Sequence, residues 1–117
     1  MSPLTIEIYR ALRAHLLART TSITYGQLAA AVSKKIPTHP RSSKLHAALG
    51  ELTAACRARS LPCLPAMVWR TDTRRPSDGY YKLAHSRSRS ELARVAAWEK
   101  EHARVVAAAA RYPAVLA

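Results

Sequence analysis

The sequence is poor in several residue types that other classes of protein depend on. It has no phenylalanine, three glycines and two cysteines in 117 residues. Cys56 and Cys63 are too few for a disulfide framework, and their C-x6-C spacing is not that of a zinc site. We therefore expect a reduced, cytoplasmic protein that uses no metal ion and no cofactor.

Long apolar runs are also missing, so the sequence predicts no transmembrane helix. The start, Ser2-Pro3-Leu4, leads into a segment with Glu7, Arg10 and Arg13, which is unlike a signal peptide. The basic residues do not line one face of a long amphipathic helix opposite large apolar side chains. The sequence therefore does not predict a membrane partner.

Acidic residues are scarce. Seven Asp and Glu residues stand against 19 Lys and Arg, which gives a net charge of +12 and a pI near 10.7. Residues 34–89 contain twelve basic residues and only three acidic ones, Glu51, Asp72 and Asp78. Such a field attracts polyanions, and we expect nucleic acid as the partner, most of all double-stranded DNA. The alternative is a solvated basic surface without a partner, as in proteins from GC-rich genomes.

The length allows one hydrophobic core and is too short for two ordinary domains. Much of the apolar content is alanine, so two tryptophans and five tyrosines must supply the large side chains. We expect a small, mainly helical core. Residues 1–84 form the predicted nucleic-acid-binding domain, and a C-terminal helix within 85–117 packs on it.

Two helices are predicted before residue 34. Ser2 as N-cap and Pro3 at the first helical position begin a helix that runs to about Ala18. The segment Thr24-Tyr25-Gly26-Gln27 then fits a capping box, in which the Thr hydroxyl and the Gln amide satisfy free backbone N–H groups reciprocally. A short second helix follows it.

A third helix is predicted from about Ser42 to Arg59, after two prolines interrupt the helical pattern. Gly50 costs this helix stability relative to alanine, so its presence indicates close packing against another helix. Ala66–Arg70 then resembles a strand, Thr71–Gly79 a turn, and Tyr80–Leu83 a second strand. Together they predict a β-hairpin with a long basic tip.

The closing helix is predicted to be the longest element. Ser88 and Glu91 have the spacing of a second capping box, and Pro113 stops the helical pattern. We expect this helix to lie across the side of the first helix and to close the core through Leu92, Val95 and Val105.

Three helices followed by a hairpin is the order of a winged helix, in which helices two and three form a helix-turn-helix and the hairpin is the wing. The predicted fold is therefore mainly α, a winged helix with a long C-terminal helix. The predicted contacts to nucleic acid come from three places: the start of helix two, the start of helix three and the wing. They are Tyr25, Arg41, Ser42, Ser43, Lys44, His46, Arg70, Arg74, Arg75 and Lys82.

A family resemblance supports this interpretation. The run from Ile6 to Val32, with Thr24-Tyr25-Gly26-Gln27-Leu28-Ala29, is similar to the DNA-binding domain of the O6-alkylguanine-DNA alkyltransferases and alkyltransferase-like proteins. Ala48-Leu49-Gly50, Leu64–Asp72 and Gly79-Tyr80 resemble the same family's helix end, active-site strand and following turn. The resemblance covers about two thirds of the chain. It implies DNA binding and recognition of a lesion or site.

The chain departs from that family where the chemistry occurs. The family's nucleophile lies in a Pro-Cys-His-Arg motif, and Leu64-Pro65-Ala66-Met67-Val68 occupies the equivalent place here. Cys63 lacks the adjacent His and Arg, so we interpret it as a small buried hydrophobic residue rather than a reactive thiol. We therefore predict a non-enzymatic binding protein.

Two residues of the resemblance concern base extrusion. The family's helix-borne Arg, which takes the place of an extruded base, aligns near Ser43, between Arg41 and Lys44. Tyr25 matches the family's Tyr, which helps to rotate the target phosphate or base. The alternative for Tyr25 is structural, as a side chain that fixes the start of helix two to the core.

Two further function classes stay open. A small basic nuclease or toxin would use His39, His46 or His85 with Glu51 or Asp72, although His46 and Glu51 are five residues apart and do not share a helix face. An RNA-binding or ribosome-associated protein would have the same basic field, because charge does not distinguish DNA from structured RNA. A protein partner is not identified by any motif.

Overall fold

Five α-helices and a two-stranded parallel sheet form the fold of this computed structural model, which describes residues 1–116. The helices are α1 (Pro3–Leu17), α2 (Tyr25–Ser33), α3 (Ser43–Ala58), α4 (Asp78–Ala84) and α5 (Glu91–Ala107). The strands are β1 (Ile23–Thr24) and β2 (Val68–Trp69), and two 3₁₀ turns span Leu64–Met67 and Ala109–Arg111. The predicted mainly helical class is confirmed, and α5 is the longest element.

The first two helices begin at the predicted caps, and α3 begins near its predicted start, with Ser42 as its N-cap. Ser2 Oγ accepts a hydrogen bond from the Thr5 N–H (3.2 Å), and Ser42 Oγ accepts one from the Leu45 N–H (3.1 Å). Both bonds of the predicted capping box form between Thr24 and Gln27, at 3.1 and 3.0 Å. Local side-chain chemistry therefore places these helix starts.

The predicted cap of the last helix is wrong by two residues. Ser90, not Ser88, is the N-cap, and its Oγ accepts the Ala93 N–H at 3.1 Å. Glu91 is then the first helical residue, so its side chain cannot return to the cap as a capping box requires. Its carboxylate lies 3.8 Å from Nη1 of Arg75 instead.

The predicted β-hairpin is also wrong. Residues 80–83 lie in α4, and β2 pairs in parallel with β1, with Ile23 opposite Val68 and Thr24 opposite Trp69. The chain turns away directly after β2, where the Arg70 N–H donates to the Arg75 carbonyl at 2.8 Å. Aromatic residues favour strands only where a sheet surface packs against them, and here the tyrosines of α4 are buried in a helix that packs on α3.

One cluster of buried side chains connects the elements from Ile8 to Leu116. Helix α1 packs on α2 and α3, and α3 packs on α4. The predicted close approach at Gly50 is confirmed, since a Cβ there would lie 3.0 Å from Cδ1 of Leu83 in α4.

The packing of α5 differs from the prediction. This helix packs mainly against the Leu64–Met67 turn rather than along α1. The main contact with α1 is made by the 3₁₀ turn at 109–111, which follows α5. Val105 is buried and Val95 is partly buried against the core, as predicted, but Leu92 is 82% exposed. It lies in the first turn of α5. Trp98 takes part in the core instead, and its indole N–H donates to the Ala66 carbonyl at 2.8 Å.

The segment after α5 is anchored to α1 and to the connection that follows α3. The Tyr112 hydroxyl donates to the Pro62 carbonyl at 2.7 Å, and Arg13 Nε donates to the Tyr112 carbonyl at 3.0 Å. The Tyr9 hydroxyl also donates to the Pro113 carbonyl. Within residues 1–116, none of the helices combines the length and apolar character that crossing a bilayer requires.

Candidate nucleic-acid interface

Four of the predicted contact residues lie in one groove between α2, α3 and the loop that follows β2. We call it the Tyr25 groove; its volume is about 620 Å³, and it is lined by Tyr25, Gly26, Pro40, Arg41, His46, Arg70, Thr71, Asp72 and Ser77. Tyr25, Arg41, His46 and Arg70 thus come together from three separate segments. The groove contains two exposed arginines and two rings, which suits a phosphate backbone with its bases.

Tyr25 connects two of the segments that line the groove. Its hydroxyl donates to Ser77 Oγ at 2.9 Å and accepts the Ser77 N–H at 3.1 Å. Its ring lies 5.4 Å from the ring of His46, with 35° between the planes. Tyr25 therefore joins the start of α2 to the loop at 70–77, where the sequence alternative had expected the core as its partner. Its half-buried ring packs against the core and also lines the groove.

Arg70 is oriented by the groove's carboxylate. Its Nε and Nη2 donate to the two carboxylate oxygens of Asp72 at 3.0 and 2.8 Å. The hydrogen bond to Arg70 holds the pKa of Asp72 below its ordinary value. Asp72 also accepts the Thr73 N–H at 2.9 Å, which ties this pair to the loop backbone.

Arg41 is placed by the connection between α2 and α3. Its backbone N–H donates to Nδ1 of His39 at 3.0 Å, and the Ser42 N–H donates to the His39 carbonyl. His39 thereby organises the residues just before α3. The Arg41 side chain is exposed and free to contact a ligand.

A second groove shares Arg70 and Thr71 with the Tyr25 groove. We call it the Trp69 groove; its volume is about 380 Å³, and it is lined by Ser22, Ile23, Thr24, Gln27, Trp69, Arg70, Thr71 and Arg74. Sequence reasoning predicted Arg70 and Arg74 but missed Trp69 and Gln27. Only the parallel pairing of β1 with β2 brings these residues together.

The remaining predicted residues lie elsewhere. Ser42 and Lys44 line a third groove, of about 540 Å³, beside the start of α1. Ser43 is the exposed first residue of α3, and Lys82 is exposed on α4. Arg75 lies 3.8 Å from Glu91. The basic residues at the start of α3 therefore lie on two faces, since Arg41 lines the Tyr25 groove and Lys44 lines the third groove. The sequence alone did not indicate this separation.

Cys63 is buried, as predicted. Its N–H donates to Oε2 of Glu101 at 2.8 Å, and burial together with the charge of Glu101 raises the pKa of its thiol to about 12. A thiol that stays protonated is a poor nucleophile. Cys56 is also buried, and both thiols are free.

The residues of the nuclease hypothesis are engaged in other contacts. His39 and Glu51 both line the third groove, but a Glu51 oxygen accepts the Ser2 N–H at 2.6 Å. His46 and Asp72 share the Tyr25 groove, where Asp72 pairs with Arg70. His85 Nε2 lies 2.9 Å from the Tyr80 hydroxyl. Within residues 1–116, no three His, Cys, Asp or Glu residues form a group that could hold a metal ion.

Comparison with known proteins gave no relative. The chain matches no protein-family model, no curated protein and no solved structure.

Proposed function

We propose that the protein binds duplex DNA through the Tyr25 groove and the basic loop at 70–77, without a covalent step. The observation that carries the proposal is the convergence of Arg41, His46 and Arg70 around Tyr25. Arginine side chains contact phosphates and guanine edges, and aromatic rings contact exposed bases.

In this proposal α2 and α3 act as a helix-turn-helix, and the loop at 70–77 takes the place of a wing. The loop is suited to that role because Tyr25 fixes it against α2 and because it carries Arg70, Arg74 and Arg75. The resemblance to the alkyltransferase-like family points the same way. It favours recognition of a lesion or of a particular site over general packaging of DNA.

The absence of an alkyl-transfer step is part of the proposal. The residues that resemble the family's active-site strand form the Leu64–Met67 turn and β2, where Ala66 is buried. Cys63 is held in a protonated state by its surroundings. Neither residue supports the chemistry of a thiolate nucleophile.

The proposal is tested by titrating labelled duplex DNA, alkylated duplex, single-stranded DNA and structured RNA at several salt concentrations. Each phosphate contact contributes about 0.9 to the slope of log affinity against log salt. We expect the double variant Arg41→Gln with Arg70→Gln to lower the affinity for duplex DNA at least about ten-fold. The slope of log affinity against log salt should become shallower by the contribution of about two phosphate contacts.

A matched control removes the same charge elsewhere. Arg104→Gln with Arg111→Gln changes two exposed residues that do not line the Tyr25 groove. We expect a much smaller loss for it. Equal losses in both double variants would mean diffuse attraction to net charge, and tighter binding of structured RNA than of any DNA would favour the RNA alternative.

A further inference from the structure

We propose that the Trp69 groove binds unpaired bases of a strand that leaves a duplex held in the Tyr25 groove. The preferred ligand is then duplex DNA that carries a single-stranded segment, rather than a blunt duplex. This inference rests on the proposed function and names the ligand more narrowly.

The two grooves share a wall. Arg70 and Thr71 line both of them, so a strand that leaves the Tyr25 groove past Arg70 enters the Trp69 groove directly. The second groove is smaller, at about 380 Å³ against about 620 Å³.

Trp69 is a fixed aromatic surface in that groove. Its indole N–H donates to the Ala66 carbonyl at 3.2 Å, and its ring meets Trp98 edge to face at 5.4 Å. The His102 ring lies 5.5 Å away, and its Nε2 is 2.6 Å from the Thr21 carbonyl oxygen. Trp69 stays partly exposed despite these contacts. A ring that is already held loses little conformational entropy when a base stacks on it.

The other lining residues match a nucleotide. Arg74 is exposed and supplies a positive charge, and no Asp or Glu lines this groove. Gln27 uses its Oε1 to accept the Thr24 N–H, so its amide N–H groups stay available to a base or sugar. Stacking on an aromatic ring beside a cation is the general way in which proteins hold single strands.

The test compares a blunt hairpin duplex with the same hairpin extended by a short single-stranded overhang, at one salt concentration. Stacking of one base implies at least about five-fold tighter binding of the extended hairpin. A third hairpin carries an overhang of abasic sugars, which keeps the phosphates and removes the bases. We expect it to lose most of the gain.

Two variants locate the effect. Trp69→Ala should remove the gain from the overhang, and Trp69→Phe should retain part of it. Arg74→Gln, a change at an exposed loop position, should reduce affinity for the extended hairpin more than for the blunt one. Circular dichroism and the thermal midpoint of Trp69→Ala, measured without DNA, show whether this variant is folded, and the abasic hairpin tests the inference on the unmodified protein whatever the variant does.

The outcomes separate the two proposals. Equal, salt-dependent binding of the blunt and extended hairpins by the unmodified protein would overturn this inference and leave the proposed function standing. An equal gain from the abasic overhang would also overturn it, because charge alone would then explain the preference. Failure to bind any of the hairpins at low salt would overturn both.

Discussion

The hydroxyl oxygen of Tyr25 lies 2.9 Å from Oγ of Ser77, which is 52 residues further along the chain. The same oxygen accepts the Ser77 N–H at 3.1 Å. One side chain therefore satisfies two groups of the loop and sets the position of Arg70 relative to α2 and α3. The shape of the Tyr25 groove depends on this pair.

Tyr25→Phe should loosen the loop at 70–77. Two hydrogen bonds are lost, each of which contributes about 0.5–1.5 kcal/mol. We therefore expect the free energy of unfolding to fall by about 1–3 kcal/mol. Ser77→Ala loses only the bond to Oγ and should cost less. Urea denaturation gives the stability, and hydrogen exchange at Ser77 reports the loop. Equal stability of Tyr25→Phe and the unmodified protein would show that the pair holds nothing in place.

Arg41 and Lys44 should behave differently in DNA binding. They are close in sequence, but Arg41 lines the Tyr25 groove and Lys44 lines the groove beside α1. We expect Arg41→Gln to weaken duplex binding and Lys44→Gln to have a small effect at the same salt concentration. Anisotropy titration of the two single variants decides this. A larger loss for Lys44→Gln would place the DNA on the other face of α3.

Asp72→Asn should strengthen DNA binding. Asp72 is the one carboxylate among the side chains that line the Tyr25 groove, and it faces incoming phosphates there. Its removal frees the Arg70 guanidinium and lowers the repulsion, so we expect affinity to rise several-fold at low salt and less at high salt. Both residues are exposed, and the thermal midpoint should change little. Weaker binding by the variant would contradict this prediction and would mean that Arg70 contacts DNA in the orientation that Asp72 gives it.

Tyr81→Phe should stabilise the fold. The Tyr81 hydroxyl is buried and has no hydrogen-bond partner among residues 1–116. Because an unsatisfied buried hydroxyl costs about 1–3 kcal/mol, we expect the stability to rise by about 1 kcal/mol when it is removed. The adjacent Tyr80→Phe is the control and should destabilise, since it loses the contact with His85 Nε2 at 2.9 Å. Changes of the same sign in urea denaturation would refute the assignment of these two hydroxyls.

Cys63 should not accept an alkyl group from DNA. A thiol pKa of about 12 leaves about one molecule in ten thousand as thiolate at pH 8. Incubation with alkylated DNA should therefore leave the intact mass unchanged. Iodoacetamide should label Cys63 slowly in the folded protein and rapidly in denaturant. A stoichiometric gain in mass on Cys63 would contradict both the pKa and the non-covalent proposal.

The sequence was sufficient where structure depends on neighbouring residues. The caps at Ser2 and Thr24 use side chains within three positions of the N–H groups that they satisfy, so the starts of α1 and α2 could be predicted. The start of α3 could be predicted from the helical pattern that resumes after the two prolines. The same holds for Gly50, whose cost within a helix indicated a close neighbour. The basic charge and the groove residues Tyr25, Arg41, His46 and Arg70 were also visible in the sequence.

Tertiary structure decided what depends on distant partners. Residues 80–83 carry two tyrosines that favour a strand, but α4 forms because it buries them beside α3. The real partner of β2 is β1, about 45 positions earlier in the chain, and two-residue strands have too little pattern to reveal such a pairing. That pairing, with the bonds from Tyr25 to Ser77, places Trp69 and Gln27 beside the basic loop. Local sequence therefore determined where α1, α2 and α3 begin, and long-range contacts determined that α4 is a helix and which side chains share a groove.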